Sequence, residues 1–193
     1  LEYVNTTFRQ ITDGFIKENL GMLHKAEDTM RRKRDELKNC RRKEMVGFRR
    51  IDPEVAMEKN TWFHLGRNSC EEILYCLRRI ADPCEEHVDN NFVPLSKEQV
   101  KEYIPLRDTV LFLLRRTEKI LQTDSYDEVD EVRREAEELK DCLEKAREAQ
   151  MQRMQSSKEN IAVAYLYLNL LQETRELTSS LRHLLRASKG FRE

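Results

Sequence analysis

Chain breakers are scarce. Only five glycines and four prolines interrupt 193 residues. So few breakers in a highly charged chain is the composition of long amphipathic helices. The glycines (Gly14, Gly21, Gly47, Gly66 and Gly190) are too scattered to form a phosphate-cradling loop. No Gly-x-Ser-x-Gly elbow and no Cys/His nucleophile context occurs either. Long apolar runs are missing too. The most apolar stretch, Ile161 to Leu171, is about half the roughly 20 residues a spanning helix needs, and it contains Asn169. The chain opens Leu1-Glu2-Tyr3 with no secretory leader and no initiator methionine, so we expect a piece of a longer protein.

Residues able to hold a metal are few. None of the four histidines, His24, His64, His87 and His183, has a glutamate three positions earlier, so the Glu-x-x-His motif of di-iron bundles is absent. The five cysteines, Cys40, Cys70, Cys76, Cys84 and Cys142, are odd in number and lack Cys-x-x-Cys spacing. They read as reduced apolar fillers of a cytoplasmic protein. Cys84-Glu85-Glu86-His87 offers two zinc ligands with no further pair nearby, which favours a polar helix end.

Charge is abundant by contrast. Asp, Glu, Lys and Arg make up 37% of the chain, yet the net charge is only -1. The 39% of hydrophobic residues recur at helical spacing. Disorder is excluded by that periodicity and balance, and amphipathic helices with solvated charged faces are implied.

Six helices are predicted. The first runs from about Tyr3 to Glu18, with Phe8, Ile11, Phe15 and Ile16 on one face, and ends at Asn19-Leu20-Gly21. The second, about Met22 to Arg49, carries the stripe Leu23, Ala26, Met30, Lys33, Leu37, Cys40. Asp52 as N-cap and Pro53 at the first position open the third, which Pro83 should kink or end. Ser96-Lys97-Glu98-Gln99 has the form of a capping box and starts the fourth, in which Pro105 should cause a bend or restart. The fifth carries Val129, Val132, Ala136, Leu139, Leu143 and Ala146. The last, about Glu159 to Ala187, is apolar nearly all round in its first half, which should therefore be buried.

A repeat runs through this order. Met30-Arg31-Arg32-Lys33-Arg34-Asp35-Glu36-Leu37-Lys38-Asn39-Cys40 aligns with Val132-Arg133-Arg134-Glu135-Ala136-Glu137-Glu138-Leu139-Lys140-Asp141-Cys142, with six of eleven positions identical. Trp62-Phe63-His64-Leu65 aligns more weakly with Tyr165-Leu166-Tyr167-Leu168. The expected architecture is all-α without a sheet, as two tandem three-helix units over residues 1–92 and 93–193.

The equivalent second and fifth helices differ in sign. Arg31 to Arg50 holds ten basic and three acidic residues, a net of +7, whereas Asp124 to Glu148 holds eleven acidic and five basic, a net of -6. The basic surface (Arg31, Arg32, Lys33, Arg34, Arg41, Arg42, Lys43) could meet the acidic helix of the same chain or of a second copy in a homodimer. It could also face an anionic membrane, or simply be a solvated helix face. Nucleic acid is disfavoured, because the chain is near neutral and few aromatics accompany the basic run. A second candidate is a polar interaction face on the third and sixth helices, His64, Asn68 and Glu72 with Asn169, Glu173 and Glu176, although plain surface faces are the stronger reading of such residues.

Two tandem three-helix units with long second and third helices resemble the PhoU family of phosphate-uptake regulators. The stretches Asn60-Thr61-Trp62-Phe63-His64-Leu65, Asp82-Pro83-Cys84-Glu85-Glu86-His87-Val88-Asp89-Asn90-Asn91-Phe92 and Leu181-Arg182-His183-Leu184-Leu185-Arg186-Ala187-Ser188 resemble something narrower. They look like the C-terminal domain of Pit-type inorganic phosphate transporters from Bacteroidetes-like sequences. The resemblance covers nearly the whole chain and its motifs are structural. It implies a non-catalytic regulatory domain on the cytoplasmic face of the inner membrane, with the permease portion of the same chain as partner. The alternatives are a free-standing helical adaptor or a PhoU-type signalling regulator. PhoU proteins hold metal clusters through Glu/Asp-x-x-x-Asp motifs on their third helices. Here Cys76 follows Glu72 and Ser180 follows Glu176 at that spacing, so neither a metal cluster nor any other cofactor is expected.

Overall fold

The computed structural model describes residues 1–48, 50–156 and 159–192, with all their side chains except those of Arg42, Met45, Phe48 and Ser156. Arg42 of the basic surface, as a side chain, and Arg49 of the basic run thus lie outside the described residues. The described chain forms six helices and no strand: α1 (Glu2–Ile16), α2 (Leu20–Phe48), α3 (Pro53–Asp89), α4 (Lys97–Thr123), α5 (Val129–Ser156) and α6 (Ile161–Arg192).

Local chemistry sets most boundaries. Asn19 Oδ1 accepts from the Met22 amide at 3.1 Å, which starts α2 directly after the break. Asp52 Oδ1 accepts from the Glu54 amide at 2.9 Å, with Pro53 next in line. The Ser96–Gln99 capping box is complete, its two bonds measuring 3.1 and 2.9 Å. Asn160 Oδ1 caps α6 through the amides of Ala162 and Val163.

Pro83 does not end its helix: α3 continues through it to Asp89. Proline has no N–H, so the carbonyl one turn earlier, that of Arg79, loses its helical donor. Asn169 Nδ2 on α6 donates to that carbonyl at 3.2 Å and supplies the missing bond. Asn169→Ala should therefore cost about 1 kcal/mol in urea titrations. The same change should cost clearly less in a Pro83→Ala background, where the restored amide can bond Arg79 itself. Pro105 likewise lies inside an unbroken α4.

Helices α1, α2 and α3 pack on one another, as do α4, α5 and α6. The two groups meet through α1 against α4 and, far more extensively, α3 against α6. Each of those contacts pairs a helix with its own counterpart in the repeat. A two-fold relation between similar units demands this self-pairing, so the packing is compatible with two tandem units. Asn5 Nδ2 donates to the Leu111 carbonyl at 2.8 Å, and Asp13 pairs with Arg107, so polar contacts brace α1 against α4.

One continuous core runs through both groups, from Phe8 and Ile11 to Leu113, Leu143, Tyr167 and Leu185. The two equivalent helices use it differently. On α5 burial persists along Val129, Val132, Ala136, Leu139, Leu143 and Ala146 to Gln150. On α2 it stops at Met30; Lys33 and Leu37 are half-buried and Cys40 is exposed. At the positions matching Ala136, Leu143 and Ala146, α2 has Arg34, Arg41 and Glu44. The last turns of α2 and first turns of α3 therefore project as an arm. The expectation that the first half of α6 is buried holds in part: Val163, Ala164, Tyr167, Leu170 and Leu171 are buried, but Ile161 and Tyr165 are exposed, so this half presents one buried face and is not enclosed all round.

The cysteines divide. Cys76 and Cys84 are buried fillers, but Cys40 and Cys142 are exposed, against expectation. Burial pushes the Cys76 thiol up to about 12 and raises Cys84 as well. Iodoacetamide on the native protein should label Cys40 and Cys142, and reach Cys76 and Cys84 only after unfolding, as read by peptide mass spectrometry. The raised thiols also set a pH dependence. Unfolded, both ionise near their ordinary value of 9.0; folded, they stay protonated well above it. The stability they contribute is whole below that value and lost as pH rises through it toward about 12 for Cys76. The urea midpoint should fall accordingly as pH rises over that range.

Candidate functional site

The α3–α6 seam gathers part of the predicted polar face around a residue that the sequence reading missed. Arg79 on α3 donates from Nη2 to Glu72 on its own helix and from Nε to Glu173 on α6, both at 2.7 Å. Glu173 is only 8% exposed, so its charge needs this partner. The hydrogen bond to Glu72 and then that to Glu173 hold the guanidinium even further above the usual arginine value, against the opposing effect of burial. The same guanidinium lies 3.4 Å from Cys76 Sγ, and that thiol points at Glu72 Oε1, 3.8 Å away.

Of the six predicted face residues, Glu72, Glu173 and Asn169 come together at Arg79, Asn169 through the carbonyl described above. Glu176 is close by but accepts from Gln172 on its own helix at 2.7 Å. Asn68 and His64 are exposed, about one and two turns before Glu72 on α3, and stay outside the cluster. His64 instead sits edge-on to Phe63, 5.5 Å between ring centroids. Arg79 was partly legible, since it follows Cys76 by three residues and Glu72 by seven and so shares their helix face. That α6 brings Glu173 across was not.

This donor set does not suit a multivalent metal. Glu72 and Glu173 already share a permanent cation, and the third side chain on that guanidinium is the Cys76 thiol, whose burial holds it protonated. A second positive centre there would face the guanidinium across the same oxygens. Among the described residues no group of three or more His, Cys, Asp or Glu side chains is placed to hold a metal ion. At the Cys84–His87 pair, His87 Nε2 donates to the Val93 carbonyl at 2.8 Å and its ring packs edge-on to Phe15 and Phe92. A carbonyl only accepts, so Nε2 carries the proton and is committed to the loop.

A second polar cluster was also missed. Buried Gln99 donates to Gln150 and to Glu159 at 3.2 Å each, and Gln150 donates to Glu159 at 2.8 Å. Arg153 extends it to Glu102 at 3.0 Å, and Glu102 accepts from the Tyr167 hydroxyl at 3.0 Å. The cluster ties α4, α5 and α6 together at one end of the bundle with its donors and acceptors mutually matched, the pattern of a core-specifying network. At the opposite side a groove of about 610 Å³ opens between Trp62, Phe63, Leu121, Tyr126, Leu184 and Phe191. Gly190 borders it because a Cβ there would meet the Trp62 indole at 2.5 Å.

The predicted basic surface lies on the projecting half of α2. Arg31, Arg32, Arg34, Arg41 and Lys43 are exposed and Lys33 is half-buried. Arg31 pairs with Glu27, Lys33 with Glu36 and Arg41 with Glu71. Arg32, Arg34 and Lys43 have no acidic partner among the described residues.

No protein-family model, no curated protein and no solved structure matches the chain. No helix among the described residues is long and apolar enough to cross a membrane.

Proposed function

We propose that the chain is a non-catalytic regulatory or scaffolding domain of a bacterial inorganic phosphate transporter, on the cytoplasmic face of the inner membrane. It acts through helix contacts with the permease portion of the same protein. The proposal rests first on the resemblance of its tandem units and its Trp62, Asp82–Phe92 and Leu181–Ser188 stretches to such domains.

The observation that carries it furthest is the α3–α6 seam. Counterpart helices of the two repeat units pair with each other there, and Arg79 joins Glu72 to Glu173 across or along it. A fixed cation at that place supports a rigid module whose output is shape and surface. The polar clusters further support a binding role, because their side chains are committed to one another rather than aimed at a substrate.

The parent reading frame tests this reading. Several apolar runs of about 20 residues encoded ahead of Leu1 are the expected result. A short parent without such runs would overturn it in favour of a free-standing adaptor.

A further inference from the structure

We infer that the arm formed by the end of α2 and the start of α3 docks on an anionic lipid surface, seating its apolar tip between headgroups. The tip carries large side chains with nothing to cover them: Val46, Ile51 and Val55 are about half exposed and Met57 is 83% exposed. Val46 lies on α2, Ile51 between the helices, and Val55 and Met57 two positions apart on α3, which puts those two on different sides of that helix, so a single neighbouring helix would leave some of them in water. An interface that the tip enters end-on covers all of them.

Charge selects the partner. The negative surplus of α5 is largely consumed inside the molecule. Arg116 from α4 bonds Glu128, Glu131 and Glu135, while Arg182 from α6 pairs with Glu137. Glu144 meets Arg147 and Arg175. The positive surplus of α2 is not consumed, since Arg32, Arg34, Lys43 and Arg50 are exposed without an acidic partner among the described residues. A second copy of this chain therefore has little free negative charge on α5 to offer α2. Phosphate-bearing headgroups supply that charge as a surface. The acidic residues beside the tip are Glu44 on α2, flanked by Lys43, and Asp52 and Glu54 at the start of α3, where Asp52 caps the helix and its dipole favours negative charge. Exposed aliphatic and thioether side chains at the tip fit acyl chains better than nucleic acid, which would reward aromatics for stacking.

This inference goes beyond the permease reading and does not depend on it, because lipid binding by the arm can be measured on the 193-residue chain alone. The experiment is co-sedimentation with phosphatidylcholine vesicles, with and without phosphatidylglycerol, at low and high salt. Binding should require phosphatidylglycerol and weaken sharply at high salt. Arg32→Gln/Arg34→Gln/Lys43→Gln should weaken it by tenfold or more, with the ideal limit for three surface charges on the order of a hundredfold. Val46→Ser/Met57→Ser should weaken it several-fold while leaving the salt dependence in place. All five positions are exposed, so far-UV circular dichroism and melting should be unchanged. Failure to sediment with anionic vesicles, or equal binding by the charge-neutralised variant, overturns the inference. Tighter, equally charge-dependent binding to an RNA or DNA duplex than to the vesicles overturns it in favour of nucleic acid.

Discussion

Phe8→Ala is expected to lower the unfolding free energy by about 3–5 kcal/mol, measured by urea titration followed by far-UV circular dichroism. Phe8 is wholly buried, on a helix of only 15 residues. An isolated helix of that length is marginal in water, so the helicity of α1 depends on what it packs against. It packs against α2, α3 and α4, and is the smaller of the two contacts between the helix groups. Loss of its central aromatic side chain leaves a cavity and loosens Asn5 and Asp13 from α4 as well. Against a typical total of about 5–15 kcal/mol, such a loss approaches unfolding. A loss below about 1 kcal/mol would mean that α1 is peripheral rather than part of the core.

Arg79→Met should cost about 2 kcal/mol while keeping much of the aliphatic stem. It leaves Glu173 buried with no cation and Glu72 without its strongest partner. Removing one member of a buried charge pair is costly because the other remains desolvated. Arg79 itself is 43% exposed, which limits the loss, since water screens that side of the pair. The diagnostic outcome is coupling. Glu173→Gln in the Arg79→Met background should restore about 1 kcal/mol, where independent sites would add their losses. Strict additivity would show that the Arg79–Glu173 bond does not hold the seam.

How far these features could be read in the sequence follows from their range along the chain. Caps were legible because their partners lie within three residues, as at Asp52 and Ser96. The projecting arm was legible in part, through Arg34, Arg41 and Glu44 where the fifth helix has Ala136, Leu143 and Ala146. The continued stripe to Leu37 and Cys40 masked it, because periodicity reveals a face but not the point where its partner ends. The course of α3 past Pro83 was not legible, since the rescuing Asn169 comes from α6. In the candidate site, Glu72 and Glu173 were recognisable as polar positions on related helices. Their shared cation was not, because pairing across a seam depends on helix register. The Gln99–Gln150–Glu159 cluster was hidden for the same reason, each side chain reading alone as a surface residue.

The regulatory role is tested most directly by uptake of radiolabelled phosphate into cells carrying the parent transporter, whole or with residues 1–193 deleted. The expected result is that transport persists in both and that its rate differs several-fold between them. Identical uptake at every phosphate concentration, with both proteins present in the membrane at equal levels, would contradict the role.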